Sequence, residues 1–314
     1  MKFTQTLLLI LKGCAMGMAD VVPGVSGGTI AFISGIYEQL IDSIRKVDIT
    51  AFKLLIHFKF VEFWKHINGS FLLPVVAGVG IAVLSLAKVM TFLLEHYHIE
   101  VWSFFFGLII ASAFLVSKQV TKWNWQSVLS AVVGVAFAWW ITVASPAETP
   151  TDWWFIMLSG AIAICAMILP GISGAFILVL LGKYDYIMQA VGTLNIPVML
   201  IFIVGAGAGI VAFSHLLSWL LKHFHNMTIA LLMGFMLGSL NKVWPWKHAL
   251  ETMTDSHGKV IPVVEQNLSP AQFEQITGTD SALWQAVTLC VIGLLMIYAI
   301  ELAARILLKK REAK

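Results

Sequence analysis

Apolar runs long enough to cross a bilayer follow one another along almost all of the 314 residues. A bilayer core about 30 Å thick is spanned by about 20 apolar helical residues. Because only 12% of the residues are charged and 59% are hydrophobic, the chain lacks the polar surface of a water-soluble protein. The pattern predicts an all-α integral membrane protein. The apolar segments lie at 3–19, 24–44, 70–94, 101–117, 126–144, 153–169, 171–191, 197–221, 227–240 and 283–308.

One motif occurs twice in the chain. Residues 23–28 read PGVSGG, and residues 170–175 read PGISGA, 147 positions later. Two more matches follow in the same order. Gly78 pairs with Gly205 at an offset of 127, and the Trp-Gln pair at 125–126 recurs at 284–285. Internal duplication of this kind is typical of transporter folds.

We therefore predict two membrane repeats, residues 1–147 and 148–314. Each should contain a hairpin that carries one motif, re-entrant or fully spanning, and about three transmembrane helices. Residues 45–68 mix lysines with aromatic side chains, which is typical of helices in the membrane interface. Residues 241–282 are polar and predict an extracytoplasmic loop, and the WPW sequence at 244–246 predicts an aromatic interfacial anchor.

Lysine and arginine set the expected orientation. Residues 45–65 and 305–314 are basic, whereas the short connections 95–100 and 145–152 contain no Lys or Arg. By the positive-inside rule both termini lie in the cytoplasm. Each half then crosses the membrane an odd number of times, so the two repeats should be inverted relative to each other.

The motif chemistry predicts a phosphate site. Proline ends one helix and the glycines allow a sharp turn, so the next helix begins with free backbone N–H groups that favour an anion. A kink that only serves helix packing is the alternative. No Gly-Lys-Ser/Thr follows either motif, which argues against a nucleotide loop. The predicted substrate-binding residues are Pro23, Gly24, Ser26, Gly27, Gly28, Thr29, Pro170, Gly171, Ser173 and Gly174.

Charged residues inside apolar segments are costly and are therefore functional candidates. The candidates for charge neutralisation or ion coupling are Lys12, Asp20, Glu38, Lys88, Lys183 and Asp185. Lys12 and Asp20 are spaced to pair across the first helix. The glycine pairs Gly13/Gly17, Gly205/Gly209 and Gly234/Gly238 are instead expected to pack helices.

Other function classes find little support in the sequence. It contains no HExxH or GxSxG signature. We therefore expect that the protein has no catalytic residues and no metal site, and that it is not an enzyme. No basic block is long enough to predict nucleic-acid binding.

The doubled motif, together with GIYE at 35–38, GKYD at 182–185 and WPW at 244–246, resembles the bacterial polyprenyl-phosphate transporter family over nearly the whole chain. The resemblance implies a flippase that returns undecaprenyl phosphate from the outer to the inner leaflet of the cytoplasmic membrane. It also implies that the motifs are tips of re-entrant hairpins, and that the partners are the lipid substrate and membrane lipids. No cofactor is implied, and coupling to H⁺ or Na⁺ stays open.

The chain departs from the family pattern and from its own repeat in two places. Position 20 is Asp, where the family pattern has Asn and other residues, so the resemblance makes Asp20 a weak candidate for an essential role. Ala175 and Phe176 replace Gly28 and Thr29 in the second motif, so the two half-sites should be unequal. A secondary transporter or channel for a small ion or anion is the alternative function. An intramembrane phosphatase is a third, weakened by the missing catalytic residues.

Overall fold

The computed structural model describes residues 3–21, 26–144, 146–147, 149–254 and 260–312, and nearly all of their regular structure is helical. The helices of the first half are α1 (Phe3–Val21), α2 (Gly27–Ile33), α3 (Tyr37–Arg45), α4 (Ile49–Ile56), α5 (Phe60–His66), α6 (Gly69–His96), α7 (His98–Ser117) and α8 (Trp125–Val143). The second half contains α9 (Trp153–Ile168), α10 (Gly174–Leu180), α11 (Tyr184–Gly192), α12 (Ile196–His223), α13 (His225–Gly238), a 3-10 turn (Ser239–Asn241), the antiparallel strands β1 (Lys247–Thr254) and β2 (Val260–Asn267), α14 (Pro270–Thr277) and α15 (Leu283–Glu312).

Several helices are built to cross a membrane. Within the described residues α7, α8 and α12 are long and apolar enough to do so. The number rises from 3 to 5 if each of two bent pairs counts as one span. One pair is α5 with the first part of α6, bent by 74°, and the other is α10 with α11, bent by 110°. The prediction of a multi-pass, helical membrane protein is confirmed.

The segments around the two motifs have matching local structure. In each half a helix of 7 residues starts just after the motif serine and is followed by one of 9 residues. The turns between them contain Gly35 at φ 70° and Gly182 at φ 59°. Only glycine adopts this left-handed conformation without strain. The sequence repeat is therefore also a repeat of backbone conformation.

Glycines bring α1 against α6 and α9 against α12. A side chain at Gly13 would collide with the carbonyl oxygen of Val75, and one at Gly160 would collide with that of Phe202. These two contacts are related by the offsets of the sequence repeat, 147 on one helix and 127 on the other. Close backbone approach at small residues is how membrane helices pack. The predicted packing role of the glycine pairs is confirmed, because each of the six glycines meets a neighbouring helix.

The remaining long helices pair across the two halves. Helix α7 packs along α15, and α13 packs along α8. Gly107 and Gly293 make the first contact, against carbonyl oxygens of the partner helix, and Gly234 and Gly134 make the second. Because Gly107 matches Gly234 and Gly134 matches Gly293 in the sequence repeat, the two interfaces are counterparts.

The third helices of the two repeats are packed differently. Helix α3 of the first half lies against α12 of the second, where Asp42 accepts a hydrogen bond from Ser218 at 2.9 Å. Its counterpart α11 instead buries Ile187 and Ala190 against its own half, with Ile156 and Val198. The matching halves therefore adopt unequal arrangements.

Two polar stretches differ in detail from their predictions. Residues 45–68 contain two short helices, α4 and α5, with exposed apolar side chains. Ile49 of α4 is exposed by 76%, and Phe58, in the turn between the helices, by 79%. Residues 241–282 are not an open loop, because they fold into the β1–β2 hairpin and α14. The prediction of an aromatic interfacial anchor at 244–246 is wrong for Trp246. That side chain is buried and donates to the carbonyl of Ser281 at 2.8 Å.

Candidate functional site

The two motifs meet between the halves of the protein. The backbone N–H of Gly171 donates to the Thr29 hydroxyl at 3.0 Å, and Ser26 donates to the carbonyl of Met167 at 2.7 Å. The Tyr37 hydroxyl donates to the carbonyl of Ile168 at 3.2 Å. Ser26, Thr29 and Tyr37 are all buried. The two motifs are therefore in direct contact.

The first motif is described from Ser26 onward, and Pro23 and Gly24 lie outside the described residues. Ser26 caps α2, since its hydroxyl accepts from the backbone N–H of Gly28 at 3.1 Å. Asp20, at the end of α1, accepts from the backbone N–H of Gly27 at 2.7 Å. The N–H groups predicted to bind phosphate are thus held by the protein's own oxygen atoms in this conformation.

The second motif turns at Gly171, which has φ 86°. A Cβ atom there would also lie 2.8 Å from both the carbonyl oxygen of Phe235 and the Ser239 hydroxyl. Pro170 ends α9 and Ser173 precedes α10 in an extended conformation without a capping side-chain bond. The two motifs therefore differ in the capping of the helix that follows them.

A small cavity of about 70 Å³ lies between the motifs. The residues with polar side chains in its lining are Asp20, Ser26 and Ser173. The remaining lining residues are Met167, Ile172, Gly174 and Ala175. Of the charged candidates whose side chains the structure describes, Asp20 is the one that lines this cavity.

The other charged candidates have different surroundings. Lys12 donates to the carbonyl of Ser34, at the C-terminal end of α2, at 2.7 Å, and so does not form the expected pair with Asp20. Lys183 donates to the carbonyl of Thr149 at 2.8 Å. Glu38 is exposed in the first turn of α3, Asp185 is half-buried in the first turn of α11, and the side chain of Lys88 lies outside the described residues. No group of three or more His, Cys, Asp or Glu among the described residues is arranged to hold a metal.

Sequence reasoning missed a cationic cluster beside the second motif. The Nζ atoms of Lys242 and Lys247 lie 2.7 and 3.2 Å from the same Oε2 atom of Glu265. Lys247 also lies over the Trp102 ring, 5.1 Å from its centroid, and Lys242 lies over the Phe176 ring of α10 at 4.6 Å. We call these residues, Lys242, Lys247, Glu265 and Trp102, the hairpin cluster.

Burial and neighbouring charges set the pKa values of Lys247 and Glu265. It lowers the pKa of Lys247 from 10.5 to about 8, against the opposing attraction of Glu265. Burial alone would raise the pKa of Glu265, but the ammonium groups of Lys247 and Lys242 outweigh it and hold that pKa below its usual value. Near pH 7 the cluster therefore contains two cations and one anion.

Known proteins resemble the chain over most of its length. Residues 16–261 match a family described as undecaprenyl phosphate translocase-like. A polyprenyl-phosphate transporter of Vibrio cholerae is 43% identical over 300 residues, covering 96% of this chain and 97% of that protein. A polyprenyl-phosphate transporter of Staphylococcus aureus is 35% identical over 254 residues, covering 75% of this chain and 85% of that protein. No solved structure matches the chain. By these matches, the chain belongs to the undecaprenyl phosphate translocase-like family.

Proposed function

We propose that this protein is a flippase that returns undecaprenyl phosphate from the outer to the inner leaflet of the bacterial cytoplasmic membrane. The names of its relatives support a polyprenyl-phosphate substrate. Burying an unpaired phosphate charge in hydrocarbon is prohibitively costly, whereas the polyprenyl tail stays in lipid. The protein needs to shield only the headgroup and does not change the lipid covalently.

The contact between Thr29 and Gly171, beside the cavity between the motifs, is the observation that carries this proposal. Irregular backbone at membrane depth is tolerated where it is buried in protein or lines a cavity. The headgroup would pass between the two motifs and bind their hydroxyl and backbone N–H groups. Through these groups the proposed contacts are Gly24, Ser26, Gly27, Gly28, Thr29, Gly171, Ser173 and Gly174. Pro23 and Pro170, which have neither group, would contribute by shaping the turns.

The Asp20 carboxylate would compete with the phosphate for the same hydrogen-bond donor. Its carboxylate accepts the Gly27 N–H that a phosphate oxygen would need. Two anions cannot share this place without strong repulsion, so the headgroup enters when Asp20 is neutralised or moves away. A proton or a sodium ion bound by Asp20 would couple transport to an ion gradient.

The arrangement of helices supports an inverted repeat. The two interfaces that cross between the halves, α7 with α15 and α13 with α8, are counterparts in the sequence repeat. Such reciprocal pairing is expected of halves related by a twofold axis. Together with the basic residues of 45–65, it favours re-entrant hairpins that enter from opposite sides, with both termini in the cytoplasm.

The unequal packing of α3 and α11 supports alternating access. Helix α3 is attached to the opposite half through Asp42 and Ser218, whereas α11 packs within its own half. If the halves exchange these arrangements, the site between the motifs opens to one leaflet and then to the other. The conformation described here would be one of the two states.

A small-ion transporter is the competing function, and the Asp20 carboxylate in a cavity of about 70 Å³ is the observation that favours it. The two functions separate in liposomes that contain the purified protein. A flippase accelerates leaflet exchange of a fluorescent polyprenyl phosphate above the rate of protein-free liposomes. Ion flux without lipid exchange would support the competing function instead.

A further inference from the structure

The hairpin cluster has an unusual charge balance for a buried group. Side-chain exposure is 17% for Lys242, 4% for Lys247 and 16% for Glu265. Both ammonium groups contact one carboxylate oxygen, so one positive charge is left without a counter-ion among the described residues. Buried charges are normally paired, because desolvation is costly. The cluster is therefore short of one anion.

Trp102 adds a second sign that an acceptor is missing. Its side chain is 5% exposed, and its Nε1–H has no hydrogen-bond partner among the described residues. Buried polar groups are nearly always hydrogen-bonded. The indole ring also lies under the Lys247 ammonium group, so an unpaired donor and an excess cation occur side by side.

The cluster adjoins the second motif. Lys242 follows the 3-10 turn at Ser239–Asn241, and Ser239 lies against Gly171. The Lys242 ammonium group also lies over the ring of Phe176, in the first turn of α10. An anion at the cluster would therefore be next to the turn that leads to the cavity.

We propose that Lys242, Lys247 and the Trp102 N–H form a binding site for a phosphate group, in which Glu265 Oε2 occupies the place of one phosphate oxygen. A phosphate monoester carries up to two negative charges and three acceptor oxygens, which suits two ammonium groups and an additional N–H donor. Glu265 holds the two lysines in place while the site is empty and is displaced when phosphate binds. A free phosphate ion and a lipid headgroup share this chemistry.

If the phosphate is that of a polyprenyl lipid, this inference rests on the proposed function. The cluster then receives the headgroup before it reaches the space between the motifs. This role explains why the half-buried Lys242 and the buried side chain of Lys247 lie beside the second motif.

The test is direct binding to the full-length protein in nanodiscs, with farnesyl phosphate, inorganic phosphate and farnesol as probes. Lys242→Gln should weaken phosphate binding about tenfold, since one charge-assisted hydrogen bond is lost. Trp102→Phe keeps the ring under Lys247 and should weaken binding less. Glu265→Gln should tighten binding several-fold, because it removes the competing charge. Lys59→Gln, at an exposed pair with Glu62, is the matched control and should bind as the wild type does.

The sign of the Glu265→Gln effect separates a binding site from a structural ion pair. If the cluster only attaches the hairpin, both Lys242→Gln and Glu265→Gln lower the thermal stability and leave the phosphate affinity of the folded protein within twofold. That result would overturn the inference. Farnesol should not bind in competition with phosphate.

The probes also identify the source of the phosphate. Lys242-dependent binding of farnesyl phosphate supports a lipid headgroup, and Lys242-dependent binding of inorganic phosphate alone supports a free anion. If the wild type binds farnesyl phosphate through Lys242 but does not accelerate lipid exchange in liposomes, the proposed function fails and the site stands. If lipid exchange occurs and phosphate binding does not depend on Lys242, the phosphate site is refuted and the proposed function stands.

Discussion

Thr29 and Gly171, one from each half of the protein, are joined by a hydrogen bond of 3.0 Å from the backbone N–H of Gly171 to the Thr29 hydroxyl. The Thr29 side chain is fully buried. Through this bond, the start of α2 holds the turn of the second motif. Removing it should therefore affect both stability and transport.

Thr29→Val preserves the shape of the side chain but leaves the Gly171 N–H without an acceptor. A buried unsatisfied donor costs about 1–3 kcal/mol, so we expect a lower unfolding temperature in detergent and slower lipid exchange. Thr29→Ser restores the hydroxyl and should recover most of both. Thr193→Val, at an exposed helix end, is the control. Equal behaviour of Thr29→Val and the control would contradict a role for the bond.

Gly171→Ala tests whether the turn of the second motif tolerates any side chain. The positive φ of 86° costs an L-residue about 1–2 kcal/mol, and the added Cβ would press on the carbonyl of Phe235. We expect a marked loss of folded protein and of lipid exchange. Gly207→Ala is the matched control, because a Cβ atom there meets nothing within 4 Å. A folded, active Gly171→Ala protein would show that the turn does not require glycine.

Asp20→Asn tests the competition between the carboxylate and phosphate. The amide oxygen can still accept the Gly27 N–H, but the negative charge is removed. Since like-charge repulsion over a few ångströms is worth about 1 kcal/mol or more, farnesyl phosphate should bind several-fold more tightly. If Asp20 carries the coupling ion, lipid exchange also loses its dependence on a proton or sodium gradient. Asp152→Asn, at an exposed helix start, should change neither. An unchanged affinity in Asp20→Asn would exclude the competition.

Lys247 predicts opposite pH dependences for stability and for phosphate binding. Its pKa falls from 10.5 to about 8 on folding. Between pH 8 and 10.5 the unfolded chain binds more protons, so this group makes the protein more stable as the pH rises. Phosphate binding should weaken as the pH rises through 8, because Lys247 loses its charge.

Lys247→Arg is the control for this pH dependence, because arginine stays charged throughout the range. Its phosphate affinity should be nearly constant from pH 7 to 9, measured in nanodiscs with farnesyl phosphate. A wild-type affinity that is equally constant would show that the Lys247 charge does not take part in binding.

The repeat made much of the fold predictable. Apolar segments and glycine spacing are local signals, and the packing of Gly13 against Val75 and of Gly205 against Met157 agrees with them. The meeting of Thr29 and Gly171 was predictable in outline, because duplicated broken helices usually face each other across the interface between repeats.

Contacts between polar residues that are far apart in the sequence have no local sequence signal. Lys12 and Lys183 are held by backbone carbonyls of Ser34 and Thr149, and nothing in a residue type reveals where a carbonyl group will point. Glu265 meets Lys242 only because the β1–β2 hairpin folds back on itself. A polar, proline-containing stretch predicted a loop, and the pairing of its two strands is a tertiary property.

Lipid exchange in liposomes by Gly27→Leu shows whether the headgroup passes between the two motifs. A side chain at Gly27 would enter the space beside the Asp20 carboxylate, with its Cβ atom 2.5 Å from Oδ2. Gly80→Leu is the matched control, since a Cβ atom there meets nothing within 4 Å. If the headgroup passes between the motifs, folded and inserted Gly27→Leu exchanges polyprenyl phosphate no faster than protein-free liposomes, while Gly80→Leu matches the wild type. Wild-type exchange by Gly27→Leu would contradict the account.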